Sequence, residues 1–155
     1  MTTIRVSLVD VYVLRGSGAA LECLVLRRAP GGRCPGSWEA VHGHIEAEER
    51  PAHAALRELR EETGLEAARF YNLSRIESFY QHRADELALV PVFVAMVAPD
   101  AEARLGIEHD GSEWLPVAEA IRRLAWPRER RALEDAVVLL AGGDAGALED
   151  VLRVC

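Results

Sequence analysis

Between Gly43 and Leu65 the chain reads GHIEAEERPAHAALRELREETGL, and its carboxylates stand at fixed intervals. Glu49 follows Gly43 after five residues. Arg57-Glu58-Leu59 comes seven residues after that, then Glu61-Glu62, then Gly64-Leu65. A helix turns roughly 100° per residue, so Glu58, Glu61 and Glu62 at i, i+3 and i+4 share one face. Ala52, Ala55, Leu56 and Leu59 share another, which can pack on a sheet. Three adjacent carboxylates repel one another unless a cation lies between them. Clustered hard oxygens suit Mg²⁺ or Mn²⁺, ions that keep positions free for water and substrate phosphates. Arg57 can pair with Glu61 one turn on. Pro51 fits the first helical turn and Gly64 the residue past the last. The plain alternative is a solvated acidic helix face laced with ion pairs. It does not account for Gly43, the offset Glu49 and the Gly64 stop all falling at these spacings.

This stretch resembles the Nudix box, G-x5-E-x7-R-E-U-x-E-E-x-G-U with U aliphatic, at every specified position. The resemblance implies a fold class: an α/β Nudix fold, a mixed β-sheet sandwiched between helices. It also implies metal-dependent hydrolysis of a pyrophosphate linkage in a nucleoside diphosphate joined to another moiety. Carried over residue by residue, Glu58, Glu61 and Glu62 are metal ligands, with the Gly43 carbonyl as a further one. Glu49 braces the site and Arg57 orients the carboxylates. Glu108 is a later-loop ligand or general base. The expected cofactor is Mg²⁺ or Mn²⁺. A Nudix-fold binding module without catalysis is the rival reading; such modules typically lose box carboxylates, and this chain keeps them.

Three further segments resemble the dihydroneopterin triphosphate pyrophosphohydrolases. They are Ser37-Trp38-Glu39-Ala40-Val41, Glu108-His109 with Trp114 beyond, and Trp126 followed by Arg130-Arg131-Ala132. The second is also similar to dinucleoside polyphosphate hydrolases. In such enzymes the region before the box faces the substrate, which makes Arg27, Arg28, Arg33, Trp38 and His42 the candidate substrate contacts. Many relatives carry Gly-Gly at the box entry, where this chain has His42-Gly43, and a Gly where it has Glu48. His42 and His44 form a His-x-His pair with His53 nearby. No further soft ligand stands at a zinc-site spacing, and loop hydrogen bonding is the simpler account.

The elements that must position these residues follow from periodicity. Residues 4–14 and 20–28 read as strands joined through Gly16-Ser17-Gly18, with a Pro/Gly-rich loop over 29–37. A short extended piece at 38–41 enters the box, and the box helix covers 51–63. Residues 67–79 and 86–97 read as strands; Pro91 inside the second predicts an edge position or a bulge. Residues 98–113 read as a polar loop. Helices are expected over 116–124, 127–141 and, weakly after Gly142-Gly143, 144–153. The 155 residues, half of them hydrophobic, fit one domain, 1–155.

All eighteen basic residues are Arg, and the formal net charge is −7. That balance argues against nonspecific binding to nucleic acid or an anionic membrane. It suits a small phosphorylated substrate only if metal and local arginines offset the repulsion. Cys23, Cys34 and Cys155 are odd in number and without CxxC spacing, as for reduced thiols. With no signal-peptide pattern and no apolar run of membrane length, a cytoplasmic location is expected. Assembly as a homodimer stays open.

Overall fold

A computed structural model describes all 155 residues. Its strands are β1 (Thr3–Arg5), β2 (Leu8–Arg15), β3 (Glu22–Arg28), β4 (Trp38–Glu39), β5 (Val41–His44), β6 (Arg69–Gln81), β7 (Glu86–Met96) and β8 (His109–Pro116). Its helices are α1 (Pro51–Thr63), α2 (Val117–Arg123), α3 (Pro127–Leu140) and the short α4 (Glu149–Leu152). All eight strands join one mixed sheet. β7 pairs in parallel with β1 and β2 and antiparallel with β6, while β3 bridges β2 to β4 and β8.

Alternation along the strands sends successive side chains to opposite faces. Val9, Val11 and Val13 of β2 pack with Leu24, Leu26, Phe93 and the α1 residues Ala54, Ala55 and Leu59. Tyr12 and Leu14 face the other way, against Leu133, Ala136 and Leu140 of α3. Helices thus cover both faces, giving the expected α/β/α sandwich. No helix is long and apolar enough to cross a membrane.

Several boundaries differ from the sequence reading. The run 4–14 is two strands, broken at Val6-Ser7, because β1 and β2 pair with successive stretches of β7. β7 is not an edge strand, but Pro91 falls between the stretches paired with β1 and β2, and stands opposite Ile76 of β6. The bulge expected there lies on the partner strand, between Asn72 and Ile76 of β6. The loop expected over 98–113 ends at Glu108, and His109–Pro116 forms β8 against β3. The weak last helix shrinks to a 3-10 turn at Gly146–Leu148 and one turn of α4.

Candidate functional site

α1 starts on Pro51 and stops at Gly64, whose φ of +68° suits glycine and whose N–H donates to the Arg60 carbonyl at 2.8 Å. Its buried stripe is Ala54, Ala55, Glu58, Leu59, Glu62 and Thr63. Two of the three carboxylates are therefore on the sheet-facing side, and only Glu61 is exposed. Gly43 of β5 allows this approach: a Cβ there would overlap the Glu58 carboxylate.

Arg57 ties the group together. Its Nε and Nη2 donate to the two oxygens of Glu49, each at 2.9 Å. Its Nη1 reaches Glu58 at 3.0 Å and Glu61 at 3.1 Å, and Nη2 also donates to the His44 carbonyl at 2.8 Å. The bidentate Arg57 contact, with the Glu46 N–H, holds Glu49 down at about 2. The same Glu49 bonds lead the effects that raise Arg57.

Glu62 receives the His42 backbone N–H on Oε2 at 3.2 Å, while its Oε1 is buried without a partner. Burial, then the neighbouring Glu108, Glu58 and Glu39, push its carboxyl up to about 10. Burial also raises Glu58 against the pull of Arg57. Without a cation, then, Glu58 and Glu62 hold a proton more readily than a solvated carboxyl does.

The loop before β8 delivers Glu108. It lies across the end of α1, with Arg104 N–H donating to Thr63 O at 2.7 Å and Gly106 N–H to Glu62 O at 3.3 Å. The Glu108 carbonyl is held by the Ala29 N–H at 2.9 Å. A register shift between Arg27 and Arg28 then turns His109 inward and leaves Asp110 outside on Arg27 Nε at 2.7 Å. Ligating atoms of Glu62, Glu108 and His109 lie within 4.8 Å of one another. Beneath them Glu39, 1% exposed, meets His109 Nε2 at 3.2 Å, Arg33 at 3.1 Å and Arg28 at 3.6 Å. Burial alone would raise Glu39; the His109 hydrogen bond, with Arg33, His42 and Arg28, lowers it instead.

The donor set passes a simple test of fit to a divalent cation. It has hard oxygens from Glu58, Glu61, Glu62 and Glu108, a glycine gap that admits Glu58, and a buried orphan oxygen on Glu62. Histidines 42 and 44 are not part of it: His42 Nδ1 is 2.5 Å from Asp10.

On the α3 side of β5 opens a cleft of ≈740 Å³. His42, His44 and Arg33 line one wall, Phe79 and Tyr80 another, and Trp126, Arg128 and Arg131 a third. No carboxylate lines it, in a chain of net charge −7. Asp10, fully buried beneath, holds both His42 and Arg128. Arg128 also lies 5.3 Å over the Phe79 ring. Next to it Glu129 is buried, with Oε2 accepting the Ala40 N–H at 2.8 Å; burial and then Asp10 push its carboxyl up to about 8.

The structure thus gathers Gly43, Glu49, Arg57, Glu58, Glu61, Glu62 and Glu108 at one place, with Arg28 3.5 Å from Glu108. Arg33 and His42 line the cleft beside them. Arg27 and Trp38 lie elsewhere: Trp38 packs on the α3-side core beneath Arg123 and beside Arg27. Sequence reasoning missed Asp10, Glu39, Phe79, Tyr80, Arg128 and Glu129. One signal was available, an acid at position 10 inside an unbroken apolar strand. Another was the i, i+3 pair Arg128 and Arg131 opening α3.

The NUDIX domain family matches residues 5–136. A protein described as an octanoyltransferase of Myxococcus xanthus is 38% identical over 130 residues, 83% of this chain. The chain spans only 36% of that relative's length. The asymmetrical bis(5'-nucleosyl)-tetraphosphatase of Rattus norvegicus is 29% identical over 117 residues, 74% of this chain and 78% of the relative. Among solved structures, a C. elegans Ap4A hydrolase binary complex superposes with a TM-score of 0.72 at 20% identity. That match covers 92% of this chain and 99% of the other.

Proposed function

We propose, for a chain that belongs to the NUDIX domain family, that it hydrolyses a pyrophosphate linkage in a nucleoside diphosphate attached to a further moiety. Nucleoside triphosphates, dihydroneopterin triphosphate and dinucleoside polyphosphates are the substrate types in view. The observation that carries this reading is the box cluster itself. Glu58 and Glu62 are buried beside Glu108, with an unpartnered oxygen on Glu62 and an arginine-lined cleft next door. A buried carboxylate group of this kind is costly unless a cation completes it.

Glu58, Glu61 and Glu62 would hold Mg²⁺ or Mn²⁺, with the Gly43 carbonyl as a further ligand. When bound, the cation supplies charge neutralisation for the polyphosphate. The chain's own residues do the rest. Arg57, clamped on Glu49, fixes Glu58 and Glu61. Arg33 and Arg131 draw the anionic substrate into the cleft, and Phe79, Tyr80 and Trp126 offer flat apolar walls to a ring. Water attacks phosphorus, the bridging P–O bond breaks, and a carboxylate takes the proton from the water. Glu108 stands for that last role because its side chain is half exposed at the edge of the cluster, 54% accessible.

All the box carboxylates are present and gathered, which weighs against a module that only binds nucleotides. The test is a panel of nucleoside triphosphates, dinucleoside polyphosphates, nucleotide sugars and dihydroneopterin triphosphate, with products identified by mass. The expected result is cleavage within the phosphate chain of at least one member. Tight binding of a member with no cleavage of any would favour the binding module instead.

A further inference from the structure

His109 is fully buried, and its two ring nitrogens stand in different surroundings. Nε2 lies 3.2 Å from Glu39 Oε1. An ionised carboxylate only accepts, so Nε2 carries the hydrogen of that bond. Nδ1 is buried and has no hydrogen-bond partner. The one group of potential ligand atoms gathered within 4.8 Å contains this histidine together with Glu62 and Glu108. Glu62 contributes the second buried orphan there, Oε1. His109 and Glu62 of that group thus each carry a buried polar atom without a partner, a desolvation cost unless something binds there.

We infer that His109 supplies a nitrogen ligand, Nδ1, to the cation held through Glu62, with Glu39 as the positioning residue behind it. The arrangement is that of a carboxylate fixing a histidine's tautomer and ring plane so that the other nitrogen meets a metal. Glu39 is itself anchored by Arg28 and Arg33, so the imidazole has little freedom to turn away. One chemical consequence follows. Oxygen-only sites suit Mg²⁺, whereas an imidazole nitrogen shifts preference towards transition-metal ions. The inference rests on the reading that the carboxylate cluster binds a divalent cation, and it goes further by naming a nitrogen in the shell.

The full chain, freed of metal and titrated with Mn²⁺, tests it by pulsed electron paramagnetic resonance. The expected result is modulation from a directly bound ¹⁴N, lost in His109→Ala and kept in His42→Ala and His44→Ala. Mn²⁺ should bind more tightly than Mg²⁺, and His109→Ala should weaken Mn²⁺ about tenfold or more. If His109→Ala fails to fold, ¹⁵N-histidine labelling of the unsubstituted chain must replace the ¹⁴N pattern. Bound Mn²⁺ without nitrogen modulation, or modulation unchanged by labelling or by His109→Ala, overturns the inference and leaves the carboxylate site standing. Absence of any Mn²⁺ binding overturns both.

Discussion

Glu62 concentrates the tension of the site in one side chain. It is 3% exposed, one oxygen has no partner, and three other carboxyl groups act on it. Gln at this position keeps the shape and still accepts the His42 N–H, but removes the charge. We expect Glu62→Gln to lower the hydrolysis rate on the order of 10²-fold, the scale of losing a main electrostatic contact. Its metal-free melting temperature should match or exceed that of the parent, because a crowded buried carboxyl has gone. Near-normal turnover, or a variant that does not fold, would contradict this. Glu49 presents the opposite case. Arg57 lowers it from 4.5 to about 2, so its folded form releases its proton more readily than the unfolded chain. Its stabilisation is present above the unfolded value and is lost as pH falls towards about 2. Denaturant midpoints of the parent and of Glu49→Gln should therefore differ most above about pH 4.5 and converge near pH 2. A gap that stays constant over that range would disprove the assignment.

At the scale of elements, the close approach of β5 to α1 makes the site, and Gly43 is the point where it is tightest. Gly43→Ala places a methyl group inside the Glu58 carboxylate. We expect about 1–3 kcal/mol of lost stability from the forced separation. Metal-dependent turnover should fall together with it, read from chemical denaturation and rate on the same preparation. A variant as stable and as active as the parent would show that the two elements do not need this contact. The box helix was legible in sequence to its last residue, since Pro51 and Gly64 mark both ends chemically. Its facing was only half legible. Periodicity put Glu58 and Glu62 together with Glu61, but the burial of Glu58 depends on how closely the strand carrying Gly43 packs against the helix, which spacing alone does not give. β8 was not legible as a strand. HDGSEWLP has Asp110 and Gly111 near its start and no clean alternation, because it borrows its order from β3 and carries a bulge. The same bulge turns His109 inward, so its contact with Glu39, 70 residues away, could not be read locally.

Across the whole molecule, charge is sorted rather than spread. The chain carries a net charge of −7, yet its cleft presents Arg33, Arg128 and Arg131 without a carboxylate, while Glu58, Glu61, Glu62 and Glu108 gather beside it. Oxygen ligands on one side and guanidinium groups on the other suit a polyphosphate that arrives with, or meets, a cation. The sequence announced the acidic half through the box spacing. The basic half comes from the loop before β4 and from α3, segments far apart in the chain that only the fold brings together. The most direct test of this account is product release from the cleaved member of the panel, followed with excess Mg²⁺ or Mn²⁺ and again after full chelation with EDTA. The account predicts turnover with the ions, none measurable with EDTA, and recovery when the ions are restored. Full activity surviving chelation would contradict it.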